Sequence, residues 1–528
     1  MLNYPVVLIV CMVVSLTQSS AVRETYDTDH QHFRPRPAVA EKTKQKLGYD
    51  EIETTSLYWQ QQAQDTLRSK LGEQPITTKA ENVIFFIGAG MSAQTIAATR
   101  MYLGNENNWL SFERFPNLAT ARTFCYNQQV ADGACTVSAY LSGVKTNYGM
   151  INVSPSVSRG SCEYDQTNAE FLGLMKWAQE SGKHTGIVTN VAITDASPAG
   201  AYASVASRER ENDAKVVEAG CDPTQYPDIA HQLVHGEVGK NLNVILGGGR
   251  KNLRPVDLLD EDGNFGARTD NRDLISEWLA LHPNKARYVY NKLGLQTVDP
   301  NNTDHLLGIF HSGSLLYNLE AQDLQITQPE LWELVDVAIK ILSRNENGYV
   351  LFVENGKIDE AHHETKARLV LDETAQFSKA VDFARNITDT SDTLMLVSAD
   401  HGHTMTYNGY PKRGNDVLGI AKTSDEDGLP YTTLSYANGP GYQITYTEEN
   451  RGIRADISKL DWQNRDALYP ATVPLDAATH GGEDVALYVS GPMAHTFQGN
   501  FEQNAIPYLI ASAANIGREI RPLLMTVE

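Results

Sequence analysis

The chain has 528 residues, 41% of them hydrophobic, and a formal charge of −21 from 44 lysines and arginines against 65 aspartates and glutamates. That length and apolar content suffice for a large core. The acidic balance argues against nucleic acid as the main partner, because phosphate backbones are held by cationic surface.

Val6–Leu16 is an apolar stretch followed by the small residues Ser19, Ser20 and Ala21, so residues 1–21 read as a secretory signal peptide, too short to span a bilayer. Removing Cys11 with it leaves Cys125, Cys135, Cys162 and Cys221, which allow up to two disulfides in an oxidising compartment, with three possible pairings. Sequons at Asn152, Asn301 and Asn386 fit a secreted, extracellular glycoprotein. The polar tract 22–56, with Pro35 and Pro37, reads as a disordered arm, and Leu57–Leu71 as a polar-faced helix. The tail, residues 516–528, carries no hydrophobic stretch, so no GPI anchor is expected.

From Val83 onwards a theme recurs. Val83–Ile87, Gly186–Val188, Val244–Leu246, Val350–Val353, Leu394–Val397 and Val485–Val489 are short β-rich apolar runs. Continuous rather than alternating apolarity suits strands buried on both faces. Helical patterns such as Leu331–Ser343 and Leu369–Ala384 lie between them. The alternation predicts an α/β fold: a three-layer sandwich around a central, mainly parallel sheet. Residues 57–515 read as one domain, with an irregular insertion near 407–446.

Chemistry-bearing residues follow the runs. Gly88-Ala89-Gly90 follows the first, Gly247-Gly-Gly249 the third, Glu354 the fourth and Asp400-His401 the fifth. In open α/β sheets, ligands bind beyond the carboxyl ends of the strands. Asp359 and His363 stand at i and i+4, so on a helix both grip one ion, and His480 completes a carboxylate-plus-two-histidine set suited to zinc. A His362-His363 pair on a helix is more often solvated surface than ligand, and His403 reads as solvated surface too.

These segments, in this order, resemble alkaline phosphatases. The resemblance runs through Asn82–Met91, Ala139–Lys145, Ala196–Gly200, Val244–Arg250, Phe352–Glu354, Asp359–His363, Ala399–His401, Asn438–Gly441 and Thr479–Asp484, from near Leu57 to near Asn515. It implies that Asp359, His363 and His480 are ligands of a first zinc, Asp400 and His401 of a second, and Glu354 and Ser197 of a magnesium. It implies that Arg208 grips a phosphorylated small molecule as a bidentate fork, and that Cys162 pairs with Cys221. Cys125 and Cys135 are then left as a possible extra bridge. The family also implies a homodimer with an N-terminal helical arm.

Two departures bear on activity. Where the family has an aspartate bridging the second zinc and the magnesium, this chain has Ala89; where it has the nucleophilic serine, this chain has Gly133 in Asp132-Gly-Ala-Cys135. A hydrogen cannot attack phosphorus, so no covalent intermediate forms there. Further drift places His311 and Gln328 where vertebrate-type members carry calcium ligands, which speaks against calcium, and Asp195 where many animal members have histidine. The leading expectation is a metal-binding protein that is inactive or strongly impaired as a phosphatase. The alternatives are an active phosphate monoester hydrolase working through zinc-bound hydroxide, and a secreted binding or structural protein.

Overall fold

The computed structural model describes residues 51–163, 173–450 and 452–517. The expected signal peptide, most of the arm and residues 518–528 lie outside the described residues. Eight strands lead the fold: β1 Asn82–Gly88, β2 Asn117–Arg122, β3 His184–Ala192, β4 Val244–Gly248, β5 Ala286–Val289, β6 His305–Ile309, β7 Tyr349–Asn355 and β8 Thr393–Ser398. Short strands follow: β9 Gly402–His403, β10 Met405–Tyr407, β11 Ile420–Thr423, β12 Pro430–Thr432, β13 Leu434–Asn438, β14 Ala471–Val473 and β15 His480–Gly481; then come β16 Val485–Ser490 and β17 Gly499–Glu502.

Ten strands form one sheet in the order β17-β2-β16-β8-β1-β7-β3-β4-β6-β5. Every neighbouring pair is parallel except those of β16 with β8 and with β2. β16 alone therefore runs against the rest. Its start lies where its neighbours end.

Burial on both faces explains the continuous apolar runs. In β1, Phe85 stacks on Tyr140 of helix Gly133–Ser142, with ring centroids 5.7 Å apart, while its neighbour Phe86 meets Phe377 of helix Ala367–Ile387 edge-on at 6.0 Å. Successive side chains thus enter the two helical layers. One layer holds helices Ala93–Tyr102, Leu331–Leu342 and Ala367–Ile387; the other holds Gly133–Ser142, Gly173–Glu180 and Ile506–Ala514.

Some expectations need revision. Residues 51–56, expected within a disordered arm, include the 3-10 turn Glu51–Thr54, with Glu53 buried and ion-paired to Arg413. The segment 407–446, expected to be irregular, carries the hairpin β11–β12 and β13, which pairs with β10 and β14 in a small separate sheet. Asn152 cannot be a glycan acceptor as folded: the residue is 4% exposed, and its Nδ2 donates to Gly200 O at 2.7 Å and Ala203 O at 2.9 Å. Asn301 and Asn386 are exposed. Both disulfides form, Cys162–Cys221 and Cys125–Cys135.

Candidate metal and phosphate site

Strand ends gather the site at one edge of the sheet. Helix Lys357–His363 starts two residues after β7 and presents Asp359 and His363 one turn apart, with His363 Nε2 3.3 Å from Asp359 Oδ2. His480 comes from the opposite direction, just before β16. Its Nε2 lies 3.1 Å from His363 Nε2 and 3.6 Å from Asp359 Oδ1. The short pair β15–β9 sets His480 against His403 in register.

The tautomers of these two imidazoles are fixed from behind. His363 Nδ1 donates to Ala478 O at 2.6 Å, and His480 Nδ1 to Ala131 O at 2.7 Å. Carbonyls only accept, so each Nδ1 carries a hydrogen, and Nε2 is the nitrogen that each ring turns toward Asp359. Burial pulls the His363 imidazole down, but the Asp359 carboxylate outweighs it and raises the group to about 9. Burial lowers His401, His403 and His480 to about 4.

His403 and His362 are not the solvated side chains expected. His403 is 3% exposed, with Nε2 2.5 Å from Asp359 Oδ1. One ligand atom each from Asp359, His401, His403 and His480 lie within 4.8 Å of one another. No local pattern singled out His403, which stands two residues after His401 in β9 and is buried by its pairing with β15. His362 is fully buried on the far side of its helix, bracketed at 3.0 Å by Thr95 Oγ1 and by the Tyr436 hydroxyl. It serves packing. Gly90, at φ +70°, is the glycine this crowding requires: a β-carbon there would lie 2.6 Å from the His403 ring.

A second group of residues sits deeper. Asp400 Oδ1 accepts from Gly90 N at 3.0 Å and His401 N at 2.9 Å, while His401 Nε2 is 3.2 Å from Asp400 Oδ2. The His401 ring stacks on His480, centroids 3.5 Å apart. Glu354 accepts from Thr189 Oγ1 at 2.7 Å. Burial, helped by the charge of Asp195, pushes Glu354 up to about 8; burial, helped by Asp359, pushes Asp400 up to about 7. Burial favours the neutral form of a carboxyl.

Ala89 is buried directly after β1, next to Gly90. Its N–H donates to Asn355 O at the end of β7, and the next N–H is the one bonded to Asp400, but its methyl offers no donor atom. Gly133 opens helix Gly133–Ser142 behind the N-cap Asp132. A β-carbon built on it would lie 3.0 Å from Asp400 Oδ2 and 3.1 Å from Ser197 Oγ. Position 133 therefore points at the centre of the constellation with only hydrogen.

Arg208 forms the opposite wall. Its Nη1 is 3.2 Å from Asp132 Oδ2 and its Nη2 2.8 Å from Asp195 Oδ1. Burial works against its charge, but the two carboxylates more than offset it and raise the group. Asp132, not foreseen as a site residue, is thus both helix cap and anchor of Arg208. A cavity of about 400 Å³ connects Arg208, Arg159 and Lys251 with Asp359, His363 and His480.

His311 and Gln328, which stand where the resemblance would place calcium ligands, lie outside this cavity and have other partners. The Gln328 amide binds the Leu316 backbone at both ends, accepting at 3.1 Å and donating at 2.8 Å. His311 Nδ1 accepts from Gly313 N at 3.2 Å.

The donor chemistry divides the constellation. Asp359, His363 and His480 fit zinc: one carboxylate and two imidazoles converge, with the tautomers set for binding. The groups around Asp400, His401, Glu354 and Ser197 fit a cation less well, because the neighbouring Ala89 adds no oxygen to them.

Comparison with known proteins agrees with this geometry. The alkaline phosphatase family model matches residues 80–516. The membrane-bound alkaline phosphatase of Bombyx mori is 41% identical over 485 residues, covering 88% of this chain and 86% of its own length. The tissue-nonspecific isozyme of Homo sapiens is 39% identical, covering 89% and 90%. Among solved structures, the alkaline phosphatase of Thermus thermophilus superposes with a TM-score of 0.61 at 21% identity, covering 84% of this chain and 93% of that one. Four-tenths identity to animal relatives over nearly nine-tenths of the sequence, on the same sheet architecture, leads to one conclusion: the chain belongs to the alkaline phosphatase family.

Proposed function

We propose that this chain is a secreted alkaline phosphatase-like protein that binds metal and phosphorylated small molecules, and hydrolyses phosphate monoesters weakly or not at all. The observation that carries the reading is Gly133, whose missing side chain would have pointed between Asp400 and Ser197. Asp359, His363 and His480 hold a zinc in this reading. Asp400 with His401, and Glu354 with Ser197, are incomplete seats for a second zinc and a magnesium, each short of the oxygen that Ala89 lacks. The bound zinc supplies positive charge toward the phosphate, and Arg208 grips it as a fork.

Binding and electrostatics survive the loss of the attacking group; covalent chemistry does not. In a serine hydrolase, removing the nucleophile costs on the order of a million-fold, while roughly a thousand-fold over water remains. Two disulfides support an extracellular setting, and no helix among the described residues is long and apolar enough to cross a membrane. Asn301 and Asn386 are the glycan acceptors this reading keeps. The family also suggests a homodimer.

The test is zinc content and turnover of a chromogenic phosphomonoester at alkaline pH, measured on one sample. The expected result is bound zinc with turnover at least about a thousand-fold below an intact relative. Combining Ala89→Asp with Gly133→Ser produces activity that neither change produces alone. Fast, saturable wild-type turnover that disappears in Asp359→Asn would sink the reading.

A further inference from the structure

A crosslink between Cys125 and Cys135 closes the stretch from the end of β2 to the first turn of helix Gly133–Ser142. Residues Tyr126–Val130 within it are exposed. Its base is buried: Cys125, Ala131 and Cys135 form a small apolar cluster of their own. Two groups at that base reach the site. The Ala131 carbonyl accepts His480 Nδ1–H, and the Asp132 carboxylate holds Arg208 while also accepting from Cys135 N at 3.2 Å and Gly149 N at 3.1 Å.

The crosslink therefore packs on the residue whose carbonyl sets the His480 tautomer, and lies three residues from the cap that anchors Arg208. Without it, an exposed loop has to hold that carbonyl in place against its own chain entropy. A displaced Ala131 carbonyl frees the His480 ring to turn or to move its hydrogen to Nε2, the nitrogen that faces Asp359.

We propose that the Cys125–Cys135 crosslink is a positioning element of the site, holding the Ala131 carbonyl against His480 and the Asp132 carboxylate against Arg208. The inference rests on the reading above that Asp359, His363 and His480 bind zinc. Removing an orienting partner of a metal-bound histidine weakens metal binding by about ten- to a hundred-fold.

The test compares zinc affinity, by competition with a chromogenic chelator, in the wild type, in Cys125→Ala/Cys135→Ala and in Cys162→Ala/Cys221→Ala, with orthophosphate affinity measured alongside. The first pair is expected to bind zinc at least about tenfold more weakly and to lose orthophosphate affinity with it, and the second pair to keep its zinc affinity. Unchanged affinity in the first pair, or equal losses in both, overturns the proposal. Should the first pair not fold, zinc-loaded wild type is reduced with a dithiol, and zinc release is followed against alkylation of Cys125 and Cys135 by mass spectrometry. Zinc retained after that bond opens overturns the proposal; release in step with opening supports it. A wild type that binds no zinc sinks the underlying reading and this one together, whereas a zinc-binding wild type matched by its crosslink-free variant sinks this one alone.

Discussion

Asp359 faces His363 and His403, yet the two imidazoles are driven in opposite directions, one up to about 9 and the other down to about 4. The difference is burial: His403 has no exposed side-chain surface, whereas the His363 side chain is 34% exposed. A proton on His363 is thus the natural counter-charge to Asp359 in the metal-free protein. Zinc must displace it, so affinity carries a pH signature. His363 rises from an ordinary 6.5 to about 9. Its protonated pairing with Asp359 is fully present below 6.5 and is lost as pH rises through about 9. Zinc affinity should climb with pH through that window, by at most about tenfold per pH unit for one proton, and level off above it. Chelator competition across the range measures this, and a flat profile would mean that His363 is already neutral. The residue pattern showed Asp359, His363 and His480 as ligand types, because i,i+4 spacing is a sequence property. His403 was illegible, since its burial depends on β9 pairing with β15, a contact between segments far apart in the chain.

Strands announced themselves in proportion to their burial. The six expected apolar runs lie in β16, β8, β1, β7, β3 and β4, which sit side by side in the middle of the sheet. β2, β5, β6 and β17 were not singled out. β5 and β17 are the two edges, and β2 and β17 show partly exposed patterns that read like loop. Helix Ser56–Gly72 poses the opposite problem: it was legible, yet it has no buried residue, and Leu57, Leu67 and Leu71 are 72%, 58% and 74% exposed. A helix of 17 residues is marginal in water without packing. The homodimer proposed above would give it a surface to cover. Deleting residues 1–73 should therefore halve the mass seen in sedimentation and lower the thermal midpoint of the α/β domain only slightly, through loss of the Glu53–Arg413 pair, because none of that helix enters the core. A truncated chain that sediments as the full-length protein does would assign dimerisation elsewhere, and one that loses its midpoint would show the helix packing within its own chain.

At the scale of the whole molecule, the site exists because nine parallel strands and one reversed strand put carboxyl ends and the approach to β16 at a common edge. Ligand type suggested joining His480 to residues more than a hundred positions earlier, and the order of motifs, through family resemblance, strengthened it; no local pattern reports that β16 runs backwards. The same long-range logic separates stability from site geometry in the two disulfides. Cys162–Cys221 spans 59 positions, whereas Cys125–Cys135 spans 10. In the chain-entropy account, closing the longer loop is worth about 4 kcal/mol, taken largely from the freedom of the unfolded chain. The Cys221 side sits beside Arg210, whose Nη2 donates to Gly160 O at 2.7 Å and lies 3.1 Å from Cys221 Sγ; none of the zinc-set residues makes that contact. Cys162→Ala/Cys221→Ala should therefore shift the guanidinium midpoint downward by the equivalent of about 4 kcal/mol, with a steeper transition as the released chain exposes more surface. Zinc affinity of the folded fraction should stay near the wild-type value. A variant that kept its midpoint but lost zinc would reverse this division, making the longer loop a brace for the site and leaving the stability of the fold to its sheet and core.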